Sequence, residues 1–251
     1  MQSTETLLRL SHYLILHASH LNNIGLLDGK MGISLFFFHY SSYSKKKLYK
    51  QFAEELLDEI YSEIHTDTPP YFDTGLSGIA WGIEYLVRNK FVTGDTDMVL
   101  NELDNKILEW DVRYIKDCSL EKGLEGLAHY VISRCSTNPN RQIPDTYIQD
   151  LITAYQTNAP DGTSKDKIIA DLSAILHHKQ VDFDTDFFNK IILNTTIPQR
   201  NIFTDKRPLG ILHNGYAGIG LKMIKLGNNA NDWLKHPIYC CYCQFSKAMH
   251  Q

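Results

Sequence analysis

Gly29-Lys30-Met31-Gly32-Ile33 recurs along this chain as Gly75-Leu76-Ser77-Gly78-Ile79, Gly123-Leu124-Glu125-Gly126-Leu127 and Gly215-Tyr216-Ala217-Gly218-Ile219. The first glycines lie 46, 48 and 92 residues apart, and the last interval is twice the first. That spacing predicts a further copy near residue 170. Asp171-Leu172-Ser173-Ala174-Ile175 supplies it, with Asp and Ala in place of the glycines. A five-fold recurrence at one period is the mark of a repeat array in which each unit is one supersecondary element.

Each signature leads into an apolar run. Ile33 to Phe38 is apolar nearly all round, and so is Ile79 to Val87; such helices are buried on more than one side. Between them lie helices with a narrower stripe. Leu48, Phe52, Leu56, Ile60 and Ile64 recur every four residues, with Tyr49, Ala53, Leu57 and Tyr61 beside them and charges opposite, which predicts one side in water. Asp95-Thr96-Asp97, Pro144-Asp145-Thr146 and Asp184-Thr185-Asp186 stand where such helices start, because short oxygen-bearing side chains satisfy free amides there. The unit is therefore buried helix, turn, amphipathic helix, turn, giving about ten helices in all, with the N-terminal helix as the first outer element.

Gly29, Gly32, Gly75, Gly78, Gly123, Gly126, Gly215 and Gly218 are structural in this reading. Lacking a Cβ, they allow unusual turn dihedrals and close backbone approach. Stacked hairpins either extend as a solenoid or curl into a ring. Crowding at the glycine-marked starts favours the ring, an all-α α/α toroid of about five hairpins. One domain spans residues 1–235, followed by a Cys-containing tail at 236–251.

A net charge of −4 with no basic stripe excludes a nucleic-acid footprint. The Lys45-Lys46-Lys47 run belongs to a solvated face. No apolar run approaches the roughly 20 residues of a membrane span. The N-terminal segment lacks the pattern of a signal peptide. Five irregularly spaced cysteines make no disulfide framework, and point to a reducing compartment, the cytoplasm by default.

Gly25 to Leu35 (GLLDGKMGISL) with Phe52 to Ile60 (FAEELLDEI) resembles the first repeat of the lanthionine synthetase C-like (LanC-like) proteins, and Leu212 to Leu221 (LHNGYAGIGL) resembles a later one. The resemblance runs from about residue 5 to 227. It implies an α/α toroid, usually of about seven hairpins, working on ribosomally made peptides. Its cyclases add cysteine thiols to dehydrated serine or threonine, with zinc presenting the thiolate. The resemblance implies zinc ligands just before the repeat glycines, as Cys-Tyr-Gly and Cys-His-Gly, with a further histidine. Here those positions hold Leu27-Asp28, Asp73-Thr74, Glu121-Lys122, Ile169-Ala170 and His213-Asn214. None is a cysteine, and His213 alone is a zinc-competent imidazole. One histidine among carboxylates is not a soft-ligand site. The expectation is thus a shortened LanC-like protein of a lanthipeptide-type pathway, with no cofactor, binding a peptide substrate or a peptide-modifying enzyme.

In a ring, the residues before each buried helix share one mouth: Asp28, Asp73, Thr74, Glu121, His213 and Asn214, with Asp171. They are either helix-start acids drawn there by the dipole or a polar ligand site. Asp28, Asp73, Glu121 and His213 are the catalytic candidates if any chemistry occurs. His39 and His129 are expected to be core or surface histidines, and His177-His178 surface. Two enzymatic alternatives stand beside the binding reading. One is a zinc cyclase with rearranged ligands, His213 joined by Cys118 or by the tail cysteines Cys240, Cys241 and Cys243. The other is a glycan-active toroid using two of the acids, with Tyr71, Phe72 and Trp81 as the available sugar platforms. An incomplete ring would expose an apolar edge, which predicts a homodimer or a partner helix.

Overall fold

The computed structural model describes residues 2–137, 143–198, 202–203 and 206–227, and there the chain is all-helical. Among the described residues stand ten α-helices, one 3₁₀ turn and no strand. The helices are α1 (Gln2–Ala18), α2 (Lys30–Ser44), α3 (Lys47–Ser62), α4 (Leu76–Arg88), α5 (Thr96–Leu108), α6 (Leu124–Thr137), α7 (Asp145–Asn158), α8 (Thr163–Leu176), α9 (Asp186–Asn194) and α10 (Tyr216–Gly227). No helix among them is long and apolar enough to cross a membrane. The tail cysteines and the boundary at residue 235 lie outside the described residues.

The glycine signature owes its form to one repeated event. The chain before each marked helix folds back over its first turn, and the first helical amide donates to a carbonyl of that loop. Lys30 N–H bonds Asn23 O at 2.8 Å, while Leu76 to Pro69, Leu124 to Asp117 and Tyr216 to Pro208 each measure 2.9 Å. Both glycines lie under this returning strand. A Cβ at Gly32, Gly78 or Gly126 would run into the carbonyl oxygen of Leu26, Phe72 or Leu120, six residues back each time. Close approach is the whole requirement. Gly29 and Gly75 are extended, and no described glycine lies in the left-handed region, so the expectation of unusual dihedrals is corrected.

The marked helices α2, α4 and α10 are buried along most of their length. Their neighbours run in order: α10 packs on α2, α2 on α4, α4 on α6 and α6 on α8. The remaining helices pair with them, α3 on α2, α5 on α4, α7 on α6 and α8, α9 on α10, and α1 on α10 and α2. Side-chain hydrogen bonds tie the layers. The Lys30 ammonium, only 2% exposed, donates to Glu59 at 2.9 Å and Glu63 at 2.6 Å, pinning α2 to α3. Arg134 of α6 is buried against Glu84 of α4 and against Asp104 (2.7 Å) and Asp97 (3.1 Å) of α5, while Tyr130 donates to Asp104 at 2.6 Å. Buried charges persist only when paired and hydrogen-bonded in this way.

Three expectations are corrected. The stripe of α3 turns by about one residue: Tyr49, Ala53, Leu56 and Ile60 are buried, whereas Leu48 and Tyr61 are exposed. The Asp171 to Ile175 copy does not open a helix, because α8 starts at Thr163 and carries that segment in its second half. And α9 is more than an amphipathic cover. Its Phe187 and Phe188 pack against Trp81 at 5.1 and 5.2 Å, and Phe188 also meets Tyr85, so the helix drives aromatic side chains between α4 and α6. The cap at Asp95 forms as expected, its side chain accepting from Asp97 N–H at 3.0 Å. Asp184 accepts from Asp186 N–H at 2.8 Å in the same manner.

Candidate functional site

The turns before α2, α4, α6 and α10 are joined by a backbone ladder. Ile211 and Leu212 N–H both donate to Leu27 O, at 2.6 and 3.1 Å. Leu27 N–H donates to Asp73 O at 2.9 Å, and Asp73 N–H to Glu121 O at 3.0 Å. In the first three units the residue two before the first glycine (Leu27, Asp73, Glu121) takes part in the ladder, while in the α10 unit Ile211 and Leu212 donate, four and three residues before Gly215, so the α10 turn lies against the first unit. Contact is tight: a Cβ on Gly25 would strike Thr74, and one on Gly210 would strike Asp28. The repeat register therefore becomes a spatial row of turns.

That row gathers the sequence-selected residues. Asp28 feels the charges of His213, Asp73, Glu121 and Lys122. Burial, and then the Asp73 and Glu121 carboxylates, push its carboxyl above its ordinary value against the pull of His213 and Lys122. Its Oδ1 is buried without a hydrogen-bond partner. Asp73 is buried and accepts from the Thr74 hydroxyl at 2.9 Å. His213 is exposed, whereas Glu121, Thr74 and Asn214 are half-buried. Asn214 Oδ1 accepts from Thr196 N–H at 2.6 Å, fastening this turn to the chain after α9. Asp171 stays outside the row, paired with Lys167 at 3.0 Å on α8.

The acids are not helix caps. Neither α2 nor α4 has a side-chain cap at its glycine, and loop carbonyls already hold their first amides. His213 and Asn214 both adopt left-handed backbone, at φ 54° and 56°. Two consecutive non-glycine residues in that region cost energy, and the arrangement turns the His213 side chain out to solvent beside the acids.

Other candidates separate cleanly. His39 is buried and its Nε2 meets the Tyr85 hydroxyl at 2.9 Å, which makes it a core histidine. His129 is buried with a ring stacked 3.9 Å from Phe187, and neither of its nitrogens has a hydrogen-bond partner. His177 and His178 are exposed. Phe72 and Trp81 are each 1% exposed and cannot serve as sugar platforms. Tyr71 instead meets Trp110 edge-on at 6.1 Å, with the Lys122 ammonium 5.7 Å from its ring. Trp110, which sequence reasoning passed over, lacked any repeat signal.

Zinc, implied by the family resemblance, would need soft donors here. Among the described residues no three His, Cys, Asp or Glu side chains form a metal-holding group. The row offers carboxylates and one exposed imidazole, a donor set that does not fit zinc. Cys118 is a free thiol. Burial and Asp117 push the Cys118 thiol up, away from the thiolate a nucleophile or ligand requires. The chain matches no protein-family model, no curated protein and no solved structure.

Proposed function

We propose that this chain is a LanC-like α/α toroid of about five hairpins which binds a basic peptide, or the basic segment of a peptide-modifying enzyme, at the acidic row. It does so without the zinc-dependent thioether step, in a reducing, cytoplasmic setting. The observation that carries the reading is the backbone ladder through Leu27, Asp73 and Glu121, with the α10 turn lying against the first unit. The neighbour order of α10, α2, α4, α6 and α8 supports the ring. Asp28, Asp73 and Glu121 supply negative charge beside the exposed edge of the row. Lysine ammonium and arginine guanidinium groups are donors only, and suit such a row. His213 and Lys122, in the turns at its two ends, limit the charge of the row.

Elemental analysis and isothermal titration test this together. A flexible Gly/Ser peptide carrying four lysines is titrated beside its succinylated form. The lysine peptide binds and the succinylated one does not, and the Asp28→Asn, Glu121→Gln double variant weakens binding at least tenfold. Equal affinity in the double variant refutes the site. One zinc per chain, lost in His213→Ala or Cys118→Ala, restores the cyclase alternative and overturns the proposal.

A further inference from the structure

A second surface, sharing no residue with the acidic row, has the shape and charge of a helix receptor. Because α3 packs on α2 and α5 packs on α4, the seam between α3 and α5 stays open as a groove of about 360 Å³. Its floor is a single ridge of α4. Ile79, Ile83 and Val87 recur every four residues and line the groove, and the last two are half-buried. Leu57 and Tyr61 of α3 form one wall, and Val99 of α5 stands in the other. Tyr61 is 61% and Val99 40% exposed, so both walls present apolar surface to water.

Two charged side chains line the groove, Asp58 and Asp95, and both are exposed acids. No cation offsets them within the lining. We infer that this groove docks an amphipathic helix of a partner polypeptide, its apolar face on Ile83 and Val87 of α4 between Tyr61 and Val99, and its flanking Lys or Arg residues on Asp58 and Asp95. A ridge with four-residue spacing interlocks with the matching ridge of an incoming helix. Anchors at i, i+3 or i+4, and i+7 are the standard reading of helix-in-groove recognition. The two acids make the choice among amphipathic helices: an acidic flank is repelled and a basic one is steered in.

The test uses three labelled 18-residue peptides in fluorescence anisotropy at physiological salt. One places Leu and Lys at helical period, one Leu and Glu at the same period, and one the Leu/Lys composition in strict alternation. The helical Leu/Lys peptide binds saturably and at least tenfold tighter than the other two. Val99→Arg and Asp58→Lys, both at exposed positions, each weaken it at least tenfold while far-UV circular dichroism is unchanged. The double variant of the acidic row leaves this affinity intact, which separates the groove from the row. Equal affinity for the acidic or the alternating peptide overturns the inference, as does undiminished binding by Val99→Arg. A wild-type dimer that Val99→Arg turns into a monomer overturns it too, and names a second copy of this chain as the occupant.

Discussion

Gly78→Ala tests the packing that defines the repeat. The new methyl group would enter the Phe72 carbonyl and crowd the Leu26 side chain. The first contact is backbone, so no rotamer change relieves it. The loop would have to retreat by about 1 Å, and overpacking of this kind costs about 1–3 kcal/mol. The same carbonyl strand leads into Asp73, whose N–H and O both belong to the ladder, so the retreat also strains two inter-unit bonds. The upper end, about 3 kcal/mol, is therefore expected before the gain of about 1 kcal/mol that alanine brings as a better helix former than glycine. The net loss is about 2 kcal/mol. With a urea m-value of about 2 kcal/mol/M, the unfolding midpoint falls by about 1 M. Gly162→Ala is the control, since nothing lies within 4 Å of its Cβ position; its midpoint stays level or rises slightly. Urea titrations followed at 222 nm give both values. A Gly78→Ala midpoint within 0.2 M of wild type would refute the argument from close approach.

Two further outcomes follow from the buried charges. Arg134→Met removes the guanidinium that the buried Glu84 and Asp104 share, a loss of about 3–5 kcal/mol; differential scanning fluorimetry should show a large fall in Tm, partly restored by adding Asp104→Asn. Asp28→Asn acts in the opposite direction. The Asp28 carboxyl is raised above 3.8 in the fold, so its protonated form is favoured and stability is lost as pH rises through the folded value. The asparagine variant is therefore more stable at pH 7, and its advantage narrows as pH falls toward 3.8; an advantage that stays constant all the way from pH 7 to 3.8 would show that the carboxyl's ionisation is not its source.

Where the sequence was legible, a local physical cause repeated itself. The glycine pairs, the all-round apolar α2 and α4, and the aspartate cap of α5 could each be read from a handful of neighbouring residues. Where it was not, distant partners decided. Two apolar stripes run side by side along α3, and local periodicity cannot choose between them. The fold buries part of each, Tyr49 and Ala53 from one and Leu56 and Ile60 from the other, where α3 packs on α2 and Lys30 reaches Glu59 and Glu63. The start of α8 was missed because extrapolating the period overrode the local signal. Gly162-Thr163 followed by Asp166 marks a helix start eight residues before Asp171. Phe187 and Phe188 gave no hint of their destination, since their partners Trp81 and Tyr85 lie about a hundred residues earlier.

The acidic row shows most clearly how an ambiguous sequence feature acquires meaning from structure. An acid before a helix is ordinarily explained by the free amides and the dipole of that helix, and sequence offers no way past that explanation. Here the amides are already taken: Asn23 and Pro69 carbonyls hold the first N–H groups of α2 and α4. Glycine at the cap positions makes this possible, because only a residue without a Cβ admits the returning strand. The same glycines that build the repeat therefore release Asp28 and Asp73 from capping. Packing of the turns through Leu27, Asp73 and Glu121 then buries Asp28 and sets like charges beside it; burial first, and the Asp73 and Glu121 carboxylates after it, raise the Asp28 carboxyl.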